Sequence, residues 1–143
     1  MMVRCFILVL AVISLGCSDN QSGVRAEKLK QVQRDLRALH LLITTFAESR
    51  PTGAVPEFDS KTVPHWAVDH NVLKKIGLRD DDFEVEISEA LSRTWTYNVS
   101  QSLIGRDLAS LQADDILIEV AQPDCKYAGI SVAGKLVYRV PRR

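Results

Sequence analysis

Neither sign of charge is in excess in this chain. Lysine and arginine total 18, as do aspartate and glutamate. A nucleic-acid-binding surface normally announces itself as a basic surplus, so a polynucleotide partner is not expected. Cysteine is also scarce, present only as Cys5, Cys17 and Cys125. That number cannot build a disulfide framework, and no cysteine pair or ligand spacing suggests a structural metal. A membrane-spanning run is missing as well. The longest apolar stretch, Cys5 to Leu15, is short of the roughly 20 residues a transmembrane helix needs.

Catalytic signatures are absent in the same way. There is no Gly-x-Ser-x-Gly turn and no phosphate-cradling glycine loop. Asp80-Asp81-Asp82 lacks the glycine and closing glutamate of a calcium loop. His65 and His70 lie five apart, about 140° around a helix, so they do not share a face as a metal pair would. No catalytic residue, metal ligand or cofactor is expected. With 46% hydrophobic residues and 143 positions, the chain can bury one apolar core without covalent staples.

What is present begins with the first seventeen residues. Arg4 supplies a positive charge, CFILVLAVISL follows, and Ile13-Ser14-Leu15-Gly16 leads into Cys17. The length and flanks match a signal-peptide core better than a membrane span. The last five residues resemble the bacterial lipobox, with Ser14 where leucine is commonest. This resemblance implies that Met1 to Gly16 are removed and that Cys17 carries diacylglycerol and further acyl chains such as palmitate. The expected partner of Cys17 is therefore a membrane. Ser18 follows where inner-membrane retention favours aspartate, which resembles outer-membrane cargo if the host has two membranes. Cleavage leaves 127 residues with 17 bases against 18 acids. Cys125 is then the one thiol of the domain proper, expected as a small buried side chain.

The expected organisation is a leader over residues 1–16, a lipidated N-terminus and polar tether over 17–23, and a single domain over 24–143. Within that domain, Leu29, Val32, Leu36, Leu39, Ile43 and Phe46 alternate spacings of three and four. This places them on one face of a helix from about Val24 to Ser49, ended by Pro51. Leu41, Leu42 and Ala47 are expected to widen that face, with Lys30, Arg34 and Arg37 opposite. The stripe spans too few heptads for a coiled coil and is expected to pack on a sheet. The basic face would lie in water or lean on lipid headgroups.

Further along, a proline-rich loop runs from Arg50 to Pro64, and a short helix from about Ala67 to Ile76 stops at Gly77. Phe83, Val85 and Ile87 alternate as a half-buried strand, with Thr94 to Val99 as its partner. A helical turn is expected between Leu103 and Leu111, and a central strand over Ile116 to Val120. A closing hairpin turns at Ala133-Gly134. A three-residue loop pairing Val132 with Leu136 and Ile130 with Tyr138 would keep one apolar face. Pro141 and two arginines end the last strand. Trp66 and Trp95 are expected as core or rim aromatics. The fold class is α+β: a long N-terminal amphipathic helix packed on a small antiparallel sheet, after the leader.

Leu39 to Pro56 (LHLLITTFAESRPTGAVP) and the strands from Ile116 to Val140 resemble the globular part of pilin-like, pseudopilin-type proteins. The prepilin cleavage motif and the long apolar first half of their helix are missing, so filament assembly is not implied. Taken together, the residues lead to the expectation of a lipid-anchored envelope protein. Its domain would be non-enzymatic and structural or interacting, accessory to a secretion- or pilus-type assembly through an envelope protein partner. A membrane-tethered ligand-binding or inhibitor module is the alternative, to be recognised by a deep aromatic pocket at Trp66 or Trp95.

Overall fold

The alternating three- and four-residue spacing does form one face of a helix. A computed structural model of the chain describes residues 2–77 and 95–140. Helix α1 runs over Met2–Ser49. It therefore starts ahead of the expected Val24 and continues through the expected tether. No proline precedes Pro51, and Gly16 and Gly23 each weaken a helix by only about 1 kcal/mol. Its C-terminal end is where Pro51 places it.

The chain divides into two units, Met1–Gln31 and Val32–Arg143. In the first, α1 is the sole element among the described residues, and Glu27 and Lys30 make an exposed ion pair one turn apart. Among the described residues, no helix is long and apolar enough to cross a membrane.

The second unit holds the rest of α1, the sheet and the core. Val32, Leu36, Leu39, Leu42, Ile43 and Ala47 are buried, while Arg34 and Arg37 are exposed. Leu41 departs from expectation, being 51% exposed. It follows Arg37 by four residues and Arg34 by seven, which sets it on the basic face.

Four strands form an antiparallel meander in the order β1-β2-β3-β4: β1 Tyr97–Val99, β2 Ile116–Val120, β3 Tyr127–Ser131 and β4 Leu136–Tyr138. The expected partner of Tyr97–Val99, the strand at Phe83 to Ser88, lies outside the described residues; β1 pairs with β2. Val99, Ile118, Ile130 and Leu136 align across the sheet as one apolar row. Asn98, Glu119, Gly129 and Val137 align on the other face. One face meets α1 and the other is more polar, the usual division of a half-buried antiparallel sheet.

Polar side chains join α1 to that sheet. Tyr97 donates its hydroxyl to Asp35 Oδ2 at 2.8 Å, inside the core. Gln33 donates from Nε2 to the Tyr127 hydroxyl. His40 Nε2 lies 2.9 Å from the Val132 carbonyl, which only accepts, so this nitrogen carries the proton. Asp35 is 4% exposed, a depth that a carboxylate tolerates only with hydrogen-bond partners.

The closing hairpin differs from the expected register. Ile130 pairs with Leu136, and Ser131 N donates to Lys135 O, so the three loop residues are Val132, Ala133 and Gly134. Gly134 has φ +82° and donates to Ser131 O. A type I turn followed by a left-handed residue puts glycine third in the loop, which shifts the pairing by two residues. A two-residue shift preserves which face each side chain takes, so the apolar row survives.

Shorter elements fill the connections. A 3-10 turn over His65–Ala67 precedes α2, His70–Lys75, which is capped by Asp69 accepting from Asn71 N. The helical stretch expected from Ala67 thus breaks at Asp69, whose side chain competes for the backbone. Gly77, at φ +82°, follows its end as expected. A second 3-10 turn covers Leu108–Ser110. The proline-rich loop is stitched to this region: Val55 N donates to Arg106 O, Gly105 N to Val55 O and Leu108 N to Gly53 O.

Candidate functional site

Cys17 falls on α1 within the unit Met1–Gln31, ahead of the body that carries the sheet. The other candidates lie in the body.

Among the described residues, the histidine-acid group does not converge. His65 is exposed in its 3-10 turn, with Nδ1 3.7 Å from Asp69 Oδ2. Asp69 is already engaged as the cap of α2. Asp59 accepts from Lys61 N and belongs to a bridge with Asn98. Asp80, Asp81 and Asp82 lie outside the described residues. Among the described residues, no group of three or more metal-ligating side chains is gathered.

Trp66 is half-buried and gathers aromatic neighbours. Its ring stacks on Phe46 with centroids 4.0 Å apart and meets Phe58 edge-on at 6.4 Å. The Arg50 guanidinium lies 5.6 Å from the Phe46 ring centre. Beside this stack is a groove of about 500 Å³, walled by Pro56, Glu57, Asp59, Thr62 and Pro64. The floor is apolar and the rim carries both signs of charge. Because the groove is open rather than enclosed, its charges face water, where each is worth little. Trp95, the other tryptophan, is half-buried and does not border this groove.

A second groove of about 470 Å³ lies between α1 and the loops, bordered by His40, Thr44, Glu48, Gly53, Asp107 and Val132. The sequence offers little signal for it. His40 stands next to the core stripe without belonging to it, and its partner Val132 is 92 residues away. Asp107 accepts from Ala109 N, and its Oδ1 lies so near Gly53 that a Cβ there would approach within 2.6 Å.

Cys125 is buried and makes no disulfide, as expected of a small packed side chain. Burial pushes its thiol above the ordinary cysteine range, against the weaker pull of a hydrogen bond with the Tyr127 backbone and of Arg139. A thiol held protonated in this way is a poor nucleophile. Arg139 itself has a clear structural part, unnoticed in the sequence. Its Nε donates to Cys125 O at 3.2 Å, and Nη2 donates to Val120 O at 3.0 Å and Gln122 O at 3.2 Å. One guanidinium thus closes the β2–β3 connection.

Compared with known proteins, the chain matches no family model, no curated protein and no solved structure.

Proposed function

We propose that this chain is a lipid-anchored envelope protein, held in the membrane by acyl chains on Cys17, with a non-enzymatic domain that binds another envelope protein. The observation that carries this reading is Ile13-Ser14-Leu15-Gly16-Cys17 behind Arg4 and an apolar run of signal-peptide length. The division of the chain supports it, because Cys17 belongs to a unit distinct from the sheet-bearing body. Each buried methylene contributes about 0.8 kcal/mol, so two or more acyl chains hold durably where one does not. Ser18 directs it to the outer membrane of a host with two membranes. The α+β body with one long helix supports a role accessory to a secretion- or pilus-type assembly.

A second reading is a membrane-tethered ligand-binding or inhibitor module. The groove beside the Phe46–Trp66 stack favours it, since aromatic walls with a few polar groups are the common makeup of a small-ligand site.

The test is the mass of the mature N-terminal peptide from the native host. The expected peptide begins at Cys17 and is heavier than its bare sequence by the acyl groups, and the protein enters the detergent phase of Triton X-114. Cys17→Ala is expected to lack the acyl mass and either to keep its leader or to be clipped elsewhere. An unmodified Cys17, or a leader still attached to wild-type protein, refutes the anchor.

A further inference from the structure

The two edges of the sheet are treated differently. The outer side of β1 is covered by the chain itself: Val99 N donates to Phe58 O at 3.0 Å, and Ser60 N donates to Tyr97 O at 2.8 Å. On the opposite edge, β4 bonds inward to β3 through its odd-numbered residues. Ser131 N donates to Lys135 O, and Arg139 N donates to Lys126 O. Antiparallel strands alternate inward and outward backbone groups, so Leu136, Tyr138 and Val140 turn their N–H and C=O away from the sheet. Among the described residues these groups meet no partner strand.

Natural sheets usually blunt such an edge with proline, a bulge or an inward-pointing charge. Here the edge cation Arg139 is folded back onto three carbonyls of the β2–β3 connection. That leaves Tyr138 58% and Val140 82% exposed. Among the described residues, the charges that remain beside the edge are Lys135, exposed at one end, and Lys126, whose Nζ lies 5.5 Å from the Tyr138 ring centre. Neither makes an ion pair among the described residues. Asp124, in the same connection as Lys126, is the nearby acid and sits by Cys125.

From this geometry we propose that the β4 edge is a strand-addition site for an extended, acidic segment of a partner protein. Backbone hydrogen bonds to Leu136, Tyr138 and Val140 supply the ladder, an apolar or aromatic side chain covers Tyr138, and flanking carboxylates meet Lys126 and Lys135. A second copy of this chain is the poorer occupant. Pairing β4 with itself brings together two edges flanked by Lys126 and Lys135, and the stretch 135–140 carries no acid to meet them. The proposal rests on the reading of the body as an interaction domain, and it does not depend on lipid at Cys17.

The experiment uses the full chain in detergent with a capped peptide alternating glutamate and valine, read by hydrogen exchange and by fluorescence anisotropy of a labelled form. The amides of Leu136, Tyr138 and Val140 are expected to gain protection on binding, while Arg139, already bonded inward, does not change. Tyr138→Pro removes one outward donor together with the ring the partner covers, leaves the inward backbone bonds of Lys135 and Arg139 in place, and is expected to weaken binding at least about tenfold. N-methylation of alternate peptide residues is expected to abolish binding to the wild-type chain, which separates ladder loss from misfolding. Equal binding of a lysine–valine peptide overturns the charge argument. Protection of these three amides without peptide also overturns the proposal: if independent of concentration, the chain covers its own edge; if rising with concentration, the occupant is a second copy.

Discussion

Replacing Leu39 by alanine and, separately, Leu41 by alanine asks one helix two opposite questions. The residues are two positions apart and chemically identical, but Leu39 is 1% exposed and Leu41 is 51% exposed. Truncating a buried leucine removes its transfer free energy and leaves a cavity, together about 3 kcal/mol within a range of 2–5. Leu41 has roughly half its surface in water already, and alanine is the better helix former, so its loss is expected to cost under about 1 kcal/mol. For a body of this size each kcal/mol shifts the midpoint by about 4 °C, which predicts a drop of about 12 °C for Leu39→Ala and a few degrees for Leu41→Ala. Leu39→Asp should cost more still, because an unpaired carboxylate would enter the core. Thermal and urea melts followed by far-ultraviolet circular dichroism measure the difference. Equal, small effects at both positions would refute the packing of α1 on the sheet.

Gly129→Ala is expected to destabilise by about 3 kcal/mol or more, because a Cβ there would collide with the Ile118 carbonyl oxygen, a backbone atom that cannot swing aside; urea melts check it, and a neutral result would contradict the β2–β3 spacing. Cys125 carries a pH prediction. Its folded pKa is raised above the ordinary value of 9.0, so the unfolded thiol ionises first and this contribution to stability is lost as pH rises above that value. Cys125→Ser is expected to flatten the alkaline limb of a stability-against-pH curve, and an unchanged limb would count against the buried thiol.

Much of the fold was legible because its signals are local. The stripe Val32-Leu36-Leu39-Ile43, the run Ile116–Val120 and the turn glycines Gly77 and Gly134 each act within a few residues of themselves. Leu41 reads as core by its hydrophobicity, although its spacing from Arg34 and Arg37 places it on the wet face. The hairpin register is not legible in the same way, because alternation fixes only which face a residue takes, and a shift of two leaves that unchanged. Asp35, Gln33, His40 and Arg139 carry no local signal for a different reason. Asp35, Gln33 and His40 bond to groups 62, 94 and 92 residues away, and nothing near them in sequence marks the partner. Arg139 reaches carbonyls 14 to 19 residues behind it, and its role depends on the strand having already turned. Of the candidate sites, Cys17 is proposed from its neighbours alone, whereas both grooves arise from loops stitched to α1 and to one another.

Those long-range bonds from α1 also set an order of events. The helix is built from local hydrogen bonds and can form within microseconds of its synthesis. The surfaces that hold it arrive last, since Tyr127 and Val132 belong to the final hairpin. Until β3 and β4 have closed, an amphipathic helix stands with its apolar stripe uncovered, and closing it spans most of the chain. Such distant contacts slow folding and prolong the interval in which the stripe can meet other surfaces. For a nascent chain, that interval is when a chaperone has something to hold.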